Sequence, residues 1–481
     1  MIPAPPISLA VLAPALIVMG AGCLVLLLDL LPPRASKAHL ATVALLGVVA
    51  ALLTSLAAWG GRGRGFRDMV ILDNYALFFH VVICYGAALI VLLSIDYLRR
   101  SGVESGEYYA LVLFSTSGML LLTSASDLIV VFLAIELMSL SLYVLSGLFK
   151  RRQAGEASMK YFLLGAFASA FLLYGIALLF GATGTTSIDR IAAAAAASPH
   201  DTLLIAGLGL LLVGFGFKIS SAPFHMWAPD VYEGAPTSVT ALIATGSKAA
   251  VFAVLVRLLL SGVRAAQADW TAVLWVLAAL TMTVGNVVAI AQSNLKRMLA
   301  YSSIAHVGYM LVGLAAGGAA GAGAVLFYLL AYTFTTAGTF GVITLCVRAG
   351  EEAVDVRDYA GLGRRHPVLA FTLALLLLSL VGIPPLAGFV GKFYLFGAAV
   401  RAGFVWLAVL GMLNSAIAAY YYLRVIVTMY MQEPDEQSAS VAPSFAGGLA
   451  LTIAVIGVVL LGLMPAPFVD LAQVAVAPLL R

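Results

Sequence analysis

The chain has 481 residues, of which 63% are apolar and only 10% are charged, and its mean hydropathy is +1.06. A soluble domain has about 45–50% apolar and about 25% charged residues, so this chain could not cover a soluble surface with polar groups. The composition excludes a soluble enzyme, a nucleic-acid-binding protein and a disordered chain. It predicts a polytopic membrane protein. The formal net charge of +4 is too small to indicate a partner other than the lipid bilayer.

Fourteen apolar runs are long enough to cross the hydrocarbon core, which takes about 20 helical residues. We therefore predict an all-α fold with about fourteen transmembrane helices. In chain order the predicted spans cover residues 8–31, 39–59, 75–98, 108–124, 127–148, 157–180, 202–221, 236–262, 270–292, 298–316, 320–348, 367–400, 403–431 and 445–470.

The connections between the spans differ in their basic residues. Loops after odd-numbered spans hold thirteen Lys and Arg residues, and the opposite side of the membrane holds seven. Because basic loops stay in the cytoplasm, the odd-numbered loops are predicted to be cytoplasmic and both termini to lie outside.

Six basic side chains that belong to no connection fall inside the predicted spans, and Glu136 is the one acid that lies deep within a span. Lys160, Arg257 and Arg424 lie near span ends, and we interpret them mainly as snorkelling side chains, although Lys160 is also a candidate for proton transfer. The others lie near span centres, where a charge costs a few kcal/mol or more. These four are Glu136, Lys218, Lys248 and Lys392.

The four central charges are candidates for a proton relay. Structural ion pairs are the alternative, but three ammonium groups would then share one carboxylate. Burial disfavours the charged form of an amine, so a surplus buried lysine can gain and lose a proton. The pattern is therefore more typical of a relay than of a set of structural ion pairs.

Two spans contain helix breakers close to these lysines. Pro223 follows Lys218 by about one turn, and Pro384-Pro385 precede Lys392. Unwound backbone at membrane depth must face protein or a wet cavity, so each of the two lysines is expected beside exposed backbone dipoles.

The two breaks lie five spans apart. Because five is odd, the second copy crosses the membrane in the opposite sense, which predicts two inverted five-helix repeats, spans four to eight and nine to thirteen. The predicted division is an N-terminal three-helix segment at 1–107, a first repeat at 108–262, an inverted second repeat at 263–431 and a C-terminal helix at 432–481.

Two histidines are further relay candidates. His306 is the polar residue nearest to the position that corresponds to Glu136 in the second repeat, and it has Ser and Tyr neighbours; His225 lies at the first helix break. A satisfied core histidine is the alternative at both positions.

No cofactor is expected on this chain. It has no nucleotide-binding glycine loop, and its three cysteines have neither disulfide nor metal spacing. Energy for transport would come from the membrane potential or from a partner subunit.

Three long motifs resemble a known family. They are residues 224–237 (FHMWAPDVYEGAPT) followed by Ser247-Lys248, residues 383–389 (IPPLAGF) followed by 391–393 (GKF), and residues 294–303 (NLKRMLAYSS). They are similar to the antiporter-like subunit N of bacterial NADH:quinone oxidoreductase, respiratory complex I, and the likeness runs over nearly the whole chain. Two sister subunits share the fold, but one carries a long C-terminal lateral helix and the other usually has Glu where this chain has Lys392.

The resemblance implies a function and a set of residue roles. It implies proton pumping in the bacterial inner membrane, with Glu136 and Lys218 as an ion pair, Lys248 as the central group and Lys392 as the outward relay. It also implies neighbouring antiporter-like and small membrane subunits, and partner subunits that hold NADH, FMN, iron–sulfur clusters and quinone. A subunit of a multi-subunit cation/proton antiporter is the alternative function, and a purely structural scaffold is a third.

Overall fold

The computed structural model describes residues 8–31, 37–348, 350–434 and 438–480. Arg34 and Arg481, which contribute to the loop charges above, lie outside these residues. Nearly all of the described chain is helical. Its α-helices are α1 (Leu9–Asp29), α2 (Ala38–Ala57), α3 (Asn74–Arg100), α4 (Gly106–Thr123), α5 (Leu128–Ser146), α6 (Arg152–Thr183), α7 (Ile188–Ala197), α8 (Thr202–Ile219), α9 (Ala228–Gly234), α10 (Thr237–Leu242), α11 (Lys248–Arg257), α12 (Gln267–Ile290), α13 (Leu295–Ala316), α14 (Gly318–Leu345), α15 (Leu362–Arg365), α16 (Pro367–Val381), α17 (Ala387–Arg401), α18 (Val405–Met431), α19 (Phe445–Leu463) and α20 (Ala466–Val476).

The helices agree with the predicted polytopic all-α fold. Among the described residues, 12 helices are long and apolar enough to cross a membrane. The two predicted spans outside that set coincide with the 18-residue α4 and with the broken pair α16 and α17.

Five short strands in the connections were not predicted from the sequence. β1 (Gly63–Gly65) pairs antiparallel with β2 (Val70–Leu72), and β3 (Cys346–Arg348) lies between β4 (Glu351–Glu352) and β5 (Ser440–Val441), antiparallel to both. Each has only two or three residues, too few for an alternating pattern to stand out in the sequence.

The segment Thr237–Gly262 forms the centre of the bundle. Two π-helical turns, Ile243–Ser247 and Leu258–Gly262, follow α10 and α11 within it. Every residue in the most apolar 18-residue stretch of this segment is buried, and α13 and α14 are nearly as enclosed. Only 33% and 39% of the corresponding stretches of α2 and α6 are buried, so these helices lie at the periphery. The central helices are therefore shielded from lipid by the rest of the chain.

The first helix break separates α8 from α9. Ser220 takes a left-handed φ of +65°, and the Ala222–Pro223 peptide bond is cis. The carbonyl of Phe217, freed by the break, accepts a hydrogen bond from the indole Nε1 of Trp227 at 2.9 Å. The break is thus held by a side chain that enters from the following segment.

The second break separates α16 from α17. Gly382 has a φ of +94°, a conformation that favours glycine, and the Pro384–Pro385 bond is cis. α17 begins so close to α16 that a Cβ at Gly388 would lie 1.8 Å from the carbonyl oxygen of Ser379. The Gly388 amide donates to Ser379 Oγ at 3.2 Å, so only glycine allows this contact between the two half-helices.

Candidate functional site

Three lysines lie in the interior of the bundle. Lys218, Lys248 and Lys392 are 3%, 1% and 5% exposed. Lys218 is in the last turn of α8 before the first break, Lys248 directly follows the π-helical turn Ile243–Ser247, and Lys392 is in α17 after the second break. All three thus stand at irregularities of the helical backbone, which concentrate at functional sites.

Hydroxyl groups surround the ammonium of Lys218. Its Nζ donates to Ser139 Oγ at 2.8 Å and to the Tyr143 hydroxyl at 3.1 Å, both from α5. Among the described residues its hydrogen bonds go to these two hydroxyls and not to a backbone carbonyl of the break, where the Phe217 carbonyl accepts from Ser220 and Trp227. The prediction of exposed backbone dipoles is therefore wrong for Lys218.

Glu136 is half-buried and does not contact Lys218. Ser169 Oγ donates to Glu136 Oε1 at 2.5 Å. Within the described residues, no Asp or Glu oxygen lies within 4.0 Å of Nζ of Lys218, Lys248 or Lys392. In this structure the two residues of the expected ion pair are separate, with Ser139 one turn beyond Glu136 on α5.

Ser303 is the main partner of Lys248. The ammonium donates to Ser303 Oγ and, at 3.3 Å, to the Ser303 carbonyl. The same hydroxyl is hydrogen-bonded to Tyr332 at 2.7 Å and to Tyr232 at 3.3 Å. Lys248 therefore belongs to a cluster of hydroxyl groups that can each donate and accept a proton.

His306 lies between two tyrosines. Its Nδ1 is 2.6 Å from the Tyr328 hydroxyl and its Nε2 is 3.2 Å from the Tyr422 hydroxyl. Ser303, His306 and Tyr309 are spaced three residues apart along α13, so they lie near one face of this buried helix. The structure thus brings His306 close to the surroundings of Lys248, as the relay hypothesis requires.

Lys392 contacts the backbone freed by the second break. Its Nζ donates to the carbonyls of Leu380 at 3.1 Å and Val381 at 2.8 Å, and it lies 4.6 Å from the ring centroid of Tyr309. The prediction of exposed backbone dipoles is confirmed here.

His225 and Lys160 lie away from these interior clusters. His225 is half-buried in the first break, and its Nδ1 has no hydrogen-bond partner among the described residues. The side chain of Lys160 is 42% exposed and binds Glu156 at 2.7 Å and Asp230 at 2.8 Å. Burial raises the pKa of the Asp230 carboxyl, but Lys160 and Arg297 together hold this pKa below its usual value.

Arg257 and Arg424 correct the snorkelling prediction. Arg257 is 5% exposed and donates two hydrogen bonds of 3.1 Å to Asp73, forming a bidentate ion pair at the end of α11. Arg424 donates to the carbonyls of Ile290, at 3.0 Å, and Gln292 where α12 ends. Both side chains bind protein groups, so the snorkelling interpretation is wrong for them.

Sequence reasoning missed a second ion pair near the bundle end. Lys296 is only 1% exposed, and its Nζ lies 3.3 Å from Glu352 and 2.7 Å from the carbonyl of Ala235. Tyr97 also donates to Glu352. Burial raises the pKa of Glu352, but Lys296 and these hydrogen bonds keep it below its usual value. The partners are far apart in the sequence, so no spacing marks them.

Comparison with known proteins identifies the family. The profile of the family described as "NADH:quinone oxidoreductase/Mrp antiporter, TM" matches residues 125–418. NADH-quinone oxidoreductase subunit N of Trichlorobacter lovleyi is 49% identical over 474 residues, which is 98% of this chain and 97% of the relative. The chain therefore belongs to the family of antiporter-like subunits N of NADH-quinone oxidoreductase.

Solved structures agree with this assignment. A chain of respiratory complex I from Thermus thermophilus with bound Aureothin is 37% identical, with a TM-score of 0.82, and the match covers 96% of this chain and 99% of that one. A chain of the Mrp complex from Dietzia sp. DQ12-45-1b has a TM-score of 0.85 at 23% identity, with 98% and 97% covered. The second match shows a shared fold only.

Proposed function

We propose that this chain is a proton-translocating membrane subunit of an NADH-quinone oxidoreductase, and that the redox chemistry takes place in other subunits. The names of its relatives support the assembly, and the buried lysines support proton transfer. The observation that carries the proposal is that three interior ammonium groups have hydroxyl and carbonyl partners and no carboxylate within 4.0 Å among the described residues. Such costly groups inside a membrane are retained for transport.

Proton uptake begins, in this proposal, at Glu136 and Lys218. When the carboxylate approaches the amine, their attraction keeps the proton on nitrogen; when they separate, desolvation favours its release. Ser169 holds Glu136 and Ser139 holds Lys218, so the present arrangement represents the separated state. A small change in this pair, driven from a neighbouring subunit, would release a proton towards Lys248.

Transfer through the centre would use the groups along α13. Ser303 Oγ would accept a proton from Lys248 while its own hydroxyl proton moves on to Tyr332, and His306 with its tyrosine partners would continue the path towards Lys392. No direct hydrogen bond joins these clusters within the part of the chain that is described, so water molecules would carry the proton between them. His225 and Lys160 are proposed to act on the uptake side.

Lys392 would release the proton to the outside. Its carbonyl partners stabilise the ammonium through dipoles and leave it free to lose the proton. Moving one charge against 100 mV costs about 2.3 kcal/mol. Rearranging one ion pair in a medium of intermediate dielectric changes the energy by an amount of the same order.

We also propose the inverted repeat as residues 108–262 and 263–431, flanked by 1–107 and 432–481. α4 packs along α5 as α12 packs along α13, and α6 packs along α8 as α14 packs along α16 and α17. The breaks after Lys218 and before Lys392 lie in corresponding helices of the two halves. With the basic odd-numbered loops in the cytoplasm, both termini lie outside.

The proposal is tested by replacing Lys218 or Glu136 with Ala in the assembled complex. Proton pumping into membrane vesicles should fall by about tenfold or more, the scale of losing one proton-transfer group. Lys150→Ala, at an exposed position between α5 and α6, is the control and should pump normally. If both interior variants assemble and pump like the wild type, the mechanism is wrong.

A subunit of a multi-subunit cation/proton antiporter is the second candidate function, favoured because the description of the matching family also names the Mrp antiporter. It predicts sodium-dependent transport without a redox partner. Purification from native membranes separates the two functions, because co-migration with iron–sulfur subunits is expected only for the oxidoreductase.

A further inference from the structure

An apolar groove runs between α16 and α19 on the surface of the bundle. It has a volume of about 950 Å³, and its walls include Val368 and Phe371 from α16 and Leu449 and Ile456 from α19. These four side chains are 43–79% exposed in the single chain. The groove is unrelated to the lysine clusters and opens where lipid would surround the protein.

One end of the groove is positively polarised. Arg365 and His366 line it, together with the first residues of both helices, and no Asp or Glu is among its lining residues. Arg365 is exposed and uses two nitrogens to bind the carbonyls of Ala439, at 2.9 Å, and Ala360, at 3.1 Å, which fixes the guanidinium and leaves other N–H groups free. The charge of Arg365 and the amino ends of α16 and α19 both attract an anion.

The dimensions of the groove fit lipid chains. It follows α19 from Ser444 to Ile456, which is about 12 residues or about 18 Å. One leaflet contributes about 15 Å of hydrocarbon, half of the membrane core. The groove is therefore about as long as the acyl chain of a phospholipid in one leaflet.

We propose that this groove binds an anionic phospholipid. An acyl chain lies between α16 and α19, and the phosphate lies against Arg365, His366 and the free amides at the start of α16. The site lies beside Arg365, at the end of the connection before α16, on the side that the loop charges assign to the cytoplasmic leaflet, where anionic lipids attract basic groups.

The experiment uses the assembled complex in phosphatidylcholine vesicles that contain a small fraction of phosphatidylglycerol with a photoreactive group in one acyl chain. Crosslinks mapped by mass spectrometry should fall in residues 368–372 and 445–456. The same probe with a phosphatidylcholine headgroup should label these residues about fivefold less, the factor that one cationic side chain contributes beside an anionic headgroup.

Gly448→Trp is the matched variant, because Gly448 lines the groove and a Cβ built there meets no other atom within 4 Å. The indole should fill the groove and abolish labelling. Gly209→Trp, at an equally open glycine on α8, should leave labelling unchanged. Excess unlabelled phosphatidylglycerol should also suppress labelling of the wild type, a test that needs no variant.

Four results would overturn the proposal. Absence of lipid crosslinks in the wild-type complex would mean that a partner subunit or a second copy covers the groove. Equal labelling by the phosphatidylglycerol and phosphatidylcholine probes would show that the groove does not prefer an anionic headgroup. Labelling of Gly448→Trp at the wild-type level, or failure of the unlabelled lipid to compete, would show that the chain does not lie in the groove.

Discussion

Three lysines in the interior and two cations near the ends of the bundle, Arg257 and Lys296, are all buried but have different kinds of partner. Lys218 and Lys392 bind hydroxyls and carbonyls, with contacts of 2.8–3.1 Å. Arg257 forms a bidentate pair with Asp73, and Lys296 lies 3.3 Å from Glu352. Lys248 and Lys296 are equally buried, each 1% exposed. Burial therefore does not distinguish the two regions; the presence of a carboxylate does.

This difference separates cations that stay protonated from lysines that can release their proton. A carboxylate at hydrogen-bond distance neutralises a buried cation and holds it in the charged form. A neutral hydroxyl or carbonyl solvates the ammonium but can also remain in place when the proton leaves. The ion pairs Arg257–Asp73 and Lys296–Glu352, called the end pairs below, thus stabilise the folded bundle. The interior lysines can lose and regain a proton, as proton transfer requires.

The largest effect is expected on the free energy of unfolding, when one variant disrupts an end pair and a second variant replaces an interior lysine. Asp73→Asn leaves Arg257 buried without its counter-charge, so the free energy of unfolding should fall by about 3–5 kcal/mol. Lys392→Met removes a buried charge that has no carboxylate partner but leaves the carbonyls of Leu380 and Val381 without a donor, so the free energy of unfolding should fall by about 1–3 kcal/mol, less than for Asp73→Asn. Denaturant unfolding of the purified protein in detergent measures both. Equal losses in the two variants would erase the distinction between the regions.

The same pair provides a test with pH. Burial raises the pKa of Asp73, but the nearby Arg257 lowers this pKa by a larger amount. The pKa of Asp73 in the folded protein therefore lies below its usual value. A depressed carboxyl pKa contributes stability above the unfolded value, about 3.9, and this contribution is lost as pH falls through the folded value. The wild-type advantage over Asp73→Asn should therefore hold above about pH 4 and shrink below it. A constant advantage down to pH 2 would contradict this assignment.

The sequence predicted where the interior lysines would stand and that Lys392 would contact freed backbone carbonyls, but not the partners of Lys218 and Lys248. Pro223 and Pro384 break helices by a local rule, and that rule placed Lys218 and Lys392 beside irregular backbone. The contact of Lys248 with Ser303 depends on how α11 packs against α13, which no local pattern encodes. The π-helical turn before Lys248 escaped prediction for the same reason, since its residues are ordinary helix formers and small side chains.

The end pairs were not predicted from the sequence, because their two residues come from different parts of the chain. Arg257 and Asp73 are 184 positions apart, and each alone resembles a charge at a span end. The predicted contact between Glu136 and Lys218 concerned helices that do lie close, since Lys218 of α8 binds Ser139 of α5, the helix that also carries Glu136. The ammonium of Lys218 donates to this hydroxyl and not to the carboxylate. The helical fold follows from hydropathy, whereas the choice among nearby polar partners is decided by side-chain packing.

A smaller effect is expected from removing one hydroxyl in the interior. Ser303→Ala deletes the shared partner of Lys248, Tyr232 and Tyr332, and a hydrogen bond to a charged group is worth about 1.5–3 kcal/mol. Proton pumping should fall by about 10- to 150-fold, and Ser303→Thr should restore part of it. Ser94→Ala, which removes a buried hydroxyl that contacts Tyr108, is the control. Loss of pumping in both Ala variants would indicate a packing defect instead of a relay.

The smallest effect tests whether the distinction depends on burial of the end pairs. Arg364 and Glu433 form an ion pair of 3.4 Å, with side chains 63% and 83% exposed. Water screens such a pair, so Arg364→Gln should lower the free energy of unfolding by about 0–1 kcal/mol, far less than Asp73→Asn. Unfolding of the two variants under the same conditions, at low and at high salt, measures the difference. If Arg364→Gln lowers the free energy of unfolding as much as Asp73→Asn does, pairing with a carboxylate would stabilise the bundle irrespective of burial. The buried end pairs would then not differ from ion pairs at the surface.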